Sequence, residues 1–187
     1  MTKTCCCIGC GGIGSYFASF LDKLIETKQT KDWEFTFYDF DRVETKNLLY
    51  QNFKPSDIND LKTDALSFKY LNIKFISASA SSKTLAKYDL VIICADNNVI
   101  RKDIYASGKT FIDARSNGKT IGIYSSATEN YLGTLSASDE SSSCQYPYSI
   151  TKEEIEYGNV IVAAILCQKL LTYIRSENLP VDFIHSF

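Results

Sequence analysis

Six residues near the start of the chain, Gly9-Cys10-Gly11-Gly12-Ile13-Gly14, satisfy the pattern G-x-G-x-x-G and stand where that pattern has a physical meaning. An apolar run over about residues 3–9 leads into them. A helical pattern over residues 15–27 follows, with Phe17, Phe20, Leu21, Leu24 and Ile25 on one face. Gly9 permits a tight turn, Gly11 lets backbone approach a phosphate, and Gly14 lets the helix pack close to the strand. The free N–H groups and the dipole at the helix start then favour an anion.

The rest of the chain alternates strand and helix. Residues 34–39 read as a strand ending in the acid Asp39, and residues 47–52 as a short helical turn. Pro55-Ser56-Asp57 opens a helical region whose apolar set is Leu61, Ala65, Leu66 and Phe68. Residues 74–77 form a short strand and residues 77–82 a polar loop. The continuously apolar stretch 88–94 has the character of a central parallel strand buried on both faces. A helix over 98–107 and strands over 110–113 and 120–125 follow, and a third strand over 131–136 is expected to pair with the last of these. Residues 136–144 are loop by composition. Thr151-Lys152-Glu153-Glu154 resembles a capping box opening a long helix through Val160, Ile161, Ala164, Ile165, Leu170 and Leu171. With neither repeat nor linker in 187 residues, this pattern predicts one α/β domain. The expected form is a Rossmann-like three-layer sandwich, its central sheet mostly parallel with antiparallel strands at one end.

Composition narrows the partners. Hydrophobic residues make up 45% and charged residues 22%, and the net charge of -2 points to neither nucleic acid nor an anionic membrane surface. No uninterrupted apolar run reaches the ~18 residues of a membrane span, so no membrane partner is expected. Met1-Thr2-Lys3-Thr4 leads into the first strand without the pattern of a secretory leader, and a cytoplasmic location is expected. Of seven cysteines, Cys5, Cys6, Cys7 and Cys10 crowd the first strand and its turn. Neighbours on a strand point to opposite faces, so Cys5, Cys6 and Cys7 cannot chelate one metal together. They read as small buried residues in a reducing compartment.

Asp39 lies where a Rossmann-type site places the carboxylate that grips ribose hydroxyls, at a spacing lengthened by the polar stretch 27–32. These features alone fit an adenine nucleotide or a dinucleotide and leave ATP and NAD both open. The residues that follow separate them. The chain reads Tyr38-Asp39-Phe40-Asp41-Arg42-Val43-Glu44-Thr45-Lys46-Asn47-Leu48-Leu49-Tyr50-Gln51, then Asp60-Leu61-Lys62, then Cys94-Ala95-Asp96-Asn97 and Arg101. In that order the set resembles the ThiF/MoeB family of ubiquitin-activating-enzyme-like adenylyltransferases. Their pattern runs G-x-G-G-[IL]-G-S, D-x-D-x-V-E-x-x-N-L-x-R-Q, a lysine, and a T-D-N-like triplet with an arginine soon after. The resemblance spans roughly residues 5–123.

The resemblance implies an enzyme that binds ATP and magnesium and adenylates the C-terminal carboxylate of a small ubiquitin-like or sulfur-carrier protein or a peptide. It implies that Lys62 bridges phosphates, Asp96 holds magnesium and Asp39 holds the ribose. Asn47 and Gln51 would line the phosphate region, with Asn47 in direct contact. Gly9, Gly11, Gly12, Gly14, Asp41 and Asn97 complete the implied nucleotide site. Family members pair, so a homodimer or a heterodimer with a related subunit is expected. Plainer readings stand beside these: Asp39 tying a turn, Asp96 and Asn97 N-capping the next helix, Lys62 as a solvated helix lysine, and Arg101 as a structural residue.

The chain departs from the pattern at two places. Tyr50 replaces the arginine of R-Q, and a tyrosine cannot compensate charge; Lys46, Arg42 and Arg115 are the candidates to supply it. The paired CxxC motifs of zinc-bearing relatives are missing, since Cys144-Gln145-Tyr146-Pro147 keeps one cysteine, and no zinc is expected. Cys144 is the candidate nucleophile; it is expected to be exposed, yet no His, Lys or Arg within seven residues would lower its pKa. His185, near the end, reads as incidental. Two other functions stay open: a catalytically degenerate partner subunit, which Tyr50 supports, and an NAD-dependent oxidoreductase. Against the latter, the chain shows no evident substrate domain and no His or Lys identifiable as a proton donor.

Overall fold

The computed structural model of the chain describes residues 2–135, 144–145, 147–152 and 154–187. Its elements are β1 (Lys3–Ile8), α1 (Gly14–Glu26), β2 (Trp33–Tyr38), α2 (Lys62–Ser67), β3 (Lys74–Ile76), α3 (Ser82–Leu85), β4 (Leu90–Ile93), α4 (Asn98–Ala106), β5 (Phe111–Asn117), β6 (Thr120–Ser125), α5 (Pro147–Lys152), α6 (Gly158–Ser176) and β7 (Phe183–Ser186). Short 3-10 turns lie at Thr45–Leu49, Pro55–Asp57 and Tyr131–Thr134.

The strands form one seven-stranded sheet in the order β3-β2-β1-β4-β5-β6-β7. The first five in that order pair in parallel, while β6 and β7 add antiparallel strands at one end. The order reverses between β1 and β4, and such a switch point opens a crevice at the carboxyl ends of the strands.

Two apolar layers sandwich the sheet. On one face α1 and α6 pack through Phe17, Leu21, Val162, Leu166 and Leu170 against Cys5, Cys7, Leu90 and Ile92. On the other, Cys6, Ile8, Val91 and Ile93 meet Leu85, Ile104 and Tyr131. Adjacent cysteines of β1 thus face opposite layers, as strand alternation requires. Every residue of β4 is sealed from solvent, and each large apolar side chain so buried stabilises the fold by about 1.5–3 kcal/mol before entropy is counted.

Four sequence expectations are corrected here. Residues 131–134 form a 3-10 turn, not a strand: Tyr131 turns inward and donates its hydroxyl to Asp113 Oδ2 at 2.8 Å. The edge of β6 is taken by β7 instead, with Ile121 opposite His185. The proposed capping box does not open the long helix, because Thr151 and Lys152 end α5 and α6 begins only at Gly158; Glu153 lies outside the described residues. That start is set by packing, since a Cβ on Gly158 would lie 2.5 Å from the Gly118 carbonyl oxygen. The buried face of α6 is correspondingly Val162, Ala163, Leu166, Cys167, Leu170 and Leu171, whereas Ile161 and Ala164 are exposed. Finally, Phe68 is 83% exposed and leaves the apolar set of α2. The expected loop over 136–144 lies outside the described residues except Cys144.

α6 is long and apolar enough by composition to cross a membrane. Here its apolar side chains serve the core beside α1, β5 and β6.

One contact positions the site. A Cβ on Gly14 would lie 1.9 Å from the Gly9 carbonyl oxygen, so only glycine lets α1 start against the end of β1. Gly14→Ala is expected to destabilise the protein by about 1–3 kcal/mol or more through overpacking. Urea unfolding followed by circular dichroism checks this; an unchanged midpoint would show that the contact is not restrictive.

Candidate active site

The crevice at the switch point holds a cavity of about 520 Å³, within the ~300–1,000 Å³ typical of small-molecule sites. Three strand ends build it: Gly9, Gly11 and Gly12 follow β1, Asp39 and Asp41 follow β2, and Asp96 and Asn97 follow β4. Gly9 sits at φ +96° and donates its N–H to the Tyr38 carbonyl at 2.9 Å, so the turn bends sharply across the end of β2. A Cβ on Gly11 would meet nothing nearer than Gln51 Nε2 at 4.0 Å, which leaves this backbone open towards the cavity. No side chain caps α1 and no acid occupies its first turn, so its N-terminal field is uncancelled. Gly14 does not line the cavity; its part is the packing described above.

Asp39 ties the turn together. Its Oδ2 accepts from Cys10 N at 2.6 Å and its Oδ1 from Asp41 N at 2.8 Å. A carboxylate has further acceptor sites beyond these two bonds, so it can both hold the turn and receive ribose hydroxyls. Burial pushes the Asp39 pKa up, and the Lys62 ammonium and the two N–H donors only partly reverse this.

Lys62 reaches Asp41 across 21 residues because residues 41–43 and 60–62 run antiparallel. Arg42 bridges Leu61, Val43 N donates to Asp60 O at 2.9 Å, and Lys62 N donates to Asp41 O at 2.9 Å. The buried ammonium donates to Asp41 Oδ2 at 2.9 Å. Burial alone would lower its pKa, but Asp39 and Asp41 outweigh that and the net shift is upward. Lys62 is therefore not the solvated lysine of the plain reading.

Asn47 is buried, and its Oδ1 accepts from Glu44 N at 2.9 Å, locking the Thr45–Leu49 turn. Gln51 is also buried, and its Oε1 has no hydrogen-bond partner among the described residues. Asn97 spends its acceptor on α4, receiving Val99 N at 2.7 Å, so the plain capping reading holds for it although the residue lines the cavity. Asp96 is exposed in both this cavity and a smaller one of about 210 Å³ over β5 and β6. Cys94, Ala95 and Cys144 are also common to the two.

Of the cations proposed to replace the missing arginine, only Lys46 lines the larger cavity among the described residues, as does Tyr50. Arg42 is exposed and donates to Asn59 O at 2.6 Å. Arg115 faces the smaller cavity, where its Nε donates to Asp113 Oδ2 at 2.6 Å and its guanidinium lies 4.2 Å from the Tyr124 ring. Arg101 is structural as expected, pairing with the fully buried Asp113 at 3.2 Å and donating to Ala95 O at 2.5 Å.

The exposure expected of Cys144 is corrected. The residue is half-buried rather than exposed, and a Cβ on Gly12 would lie 3.2 Å from its Sγ. Burial, and secondarily the charge of Asp96, push the thiol up to about 12, so it is protonated at neutral pH.

Asn159 was missed. Fully buried on α6, it donates to Gly12 O at 3.0 Å and Tyr50 O at 2.6 Å, stapling the glycine turn to the segment after β2. Its one sequence signal is an amide in the first turn of an otherwise apolar helix.

Comparison with known proteins supports the fold. The model of the ThiF family matches residues 2–186. A crystal structure of E. coli MccB with MccA-N7isoASN superposes with a TM-score of 0.70 at 16% identity, over 99% of this chain and 61% of that one. E. coli MccB with ATP gives 0.67 at 18% identity, over 99% and 63%. PaaA gives 0.61 at 16%, over 99% and 61%. These likenesses speak for the fold, and this chain spans about six-tenths of the length of those proteins. Among curated proteins no sequence matches.

Two measurements probe this site. Because folded Lys62 holds its proton above the ordinary value of 10.5, its ion pairs stabilise the fold fully below that pH. The contribution is lost as pH rises through the raised folded value. The difference in unfolding free energy between the protein and Lys62→Met should thus stay constant from about pH 7 to 10 and change only above about 10.5. A change beginning near pH 8 would mean a depressed lysine. Iodoacetamide at pH 8, read by peptide mass spectrometry, should modify Cys144 at least about a hundredfold more slowly than a free thiol. Labelling as fast as a free thiol would restore the nucleophile.

Proposed function

The chain belongs to the ThiF family, and from that premise we propose that it is an ATP-dependent adenylyltransferase activating the C-terminal carboxylate of a peptide or small ubiquitin-like or sulfur-carrier protein. One observation carries the reading: the glycine turn, Lys62 and Asp96, remote in sequence, line a single cavity at the sheet's switch point. An oxidoreductase has no need of that convergence.

In this reading Asp39 holds the ribose, the uncapped start of α1 and the Gly11–Gly12 backbone take phosphate oxygens, and Lys62 neutralises them. Asn47 presents its amide nitrogen to the phosphates, its oxygen being used in the turn. The acceptor carboxylate enters from the smaller cavity, which meets the larger one at Asp96. A carboxylate oxygen bonds to the α-phosphorus, the bond to the β-phosphate oxygen breaks, and pyrophosphate leaves with the electron pair. Because nucleophile and triphosphate are both anionic, the site acts by alignment and charge neutralisation.

The donors fit magnesium. Among the described residues no cluster of three or more ligating side chains exists, but Asp39 and Asp41 are engaged by the turn and Lys62, whereas Asp96, exposed to both cavities, offers a carboxylate. Magnesium suits one carboxylate plus phosphate oxygens and water, and would supply charge neutralisation at the phosphates. That crystals of MccB hold ATP or MccA peptide supports a peptide acceptor here; pairing of two copies and a cytoplasmic location accompany the proposal as expectations. Tyr50 favours a second reading, a nucleotide-binding partner subunit without turnover.

The test is ATP–pyrophosphate exchange with magnesium and candidate carrier peptides or proteins. Exchange supports the enzyme, ATP binding without exchange supports the partner subunit, and NAD binding in the absence of ATP binding would overturn both. Asp96→Ala should lower exchange by about a hundredfold or more with an unchanged melting temperature; undiminished turnover would remove Asp96 from the mechanism.

A further inference from the structure

Four carboxylates, Asp39, Asp41, Glu44 and Asp96, line the larger cavity, and among the described residues only two cations, Lys46 and Lys62, face them. A cavity so acidic repels a triphosphate, and Lys62 is already bound by Asp41, with Asp39 beside it. Lys46 differs. Its ammonium pairs with Glu44 at 2.9 Å, but the side chains are 54% and 62% exposed, and a pair that open to water is weak and easily exchanged. Its backbone, by contrast, is held: Asn47 N donates to Glu44 O at 2.9 Å and Gln51 N to Asn47 O at 2.8 Å, around the buried Asn47 side chain. Lys46 is thus an exposed charge on a fixed mount.

We propose that Lys46 is the second phosphate-binding cation of this site, passing from Glu44 to the β- and γ-phosphates when ATP enters. The inference rests on the adenylylating reading and assigns a residue at a position the motif leaves unspecified. Glu44 screens the lysine in the empty site and competes with phosphate for it, so the pair sets the affinity for polyphosphate rather than for the nucleoside. Tyr50 occupies the same wall, buried and uncharged, which explains how the chain can dispense with a cation at that position.

Binding of ATP, AMP and adenosine to the intact chain by isothermal titration calorimetry tests this. Lys46→Ala should weaken ATP by about tenfold while leaving adenosine within about twofold. Glu44→Gln should tighten ATP severalfold. Lys46→Ala with Tyr50→Arg should recover most of the loss, because charge returns to the same wall. An equal loss for ATP and adenosine, or a fall in melting temperature matching the loss, would reduce Lys46 to a structural residue and overturn the proposal. ATP binding unaffected by Lys46→Ala would overturn it while leaving the adenylylating reading intact. Failure of the unaltered protein to bind ATP would overturn both.

Discussion

The Gly14 Cα stands so close to the Gly9 carbonyl oxygen that no side chain fits between them, and the rest of the site depends on this approach. It brings the start of α1 to the end of β1, where uncapped N–H groups gather beside the sheet's switch point. It also fixes the Gly9 turn, whose shape lets Asp39 receive Cys10 N. Asn159 holds the far side of the same turn from α6. A helix from late in the chain therefore closes a loop formed near its beginning, and the glycine turn is held from both sides.

Electrostatics divides the site into fixed and adaptable charge. The Asp39, Asp41 and Lys62 cluster is partly buried, mutually neutralising and tied to backbone. Asp96 stands apart at the junction of two cavities. Beneath the smaller cavity, Arg101 and Arg115 converge on Asp113, which is sealed from solvent. This triad, with the Tyr131 hydroxyl, ties β5 to α4 and to the Tyr131–Thr134 turn. Removing one partner of such a cluster would strand a buried charge, so its arginines are occupied by structure and cannot answer for the cation absent at Tyr50.

Local pattern carried the first two-thirds of the fold well. The apolar runs of β1 and β4, the amphipathic face of α1 and the acid after β2 each follow from residues adjacent in sequence. It failed where tertiary packing outranked pattern. Residues 131–134 have strand-like character, yet the Tyr131 side chain is drawn inward by Asp113 and Phe111 and the backbone turns with it. Thr151 resembles an N-cap, but the close seat of Gly158 on Gly118 decides where α6 begins. Cys144 looked exposed from its polar neighbours, but the glycine turn covers its sulfur.

Sequence by itself determined the strand–glycine–helix unit, the class of sheet and Gly9 and Asp39 as candidates, which depend on periodicity, on the missing Cβ of glycine and on residue type, all of them local. Lys62 and Asp96 became candidates through the resemblance to the ThiF/MoeB pattern. Only the tertiary structure decided that Lys62 is held by Asp41, that Asn97 belongs to a helix cap, that Asn159 staples the turn, and that Lys46 rather than Arg42 or Arg115 faces the cavity. Those outcomes turn on which side chains meet across distant segments, and burial, charge pairing and hydrogen-bond competition are settled only when the sheet and its two helical layers close around them.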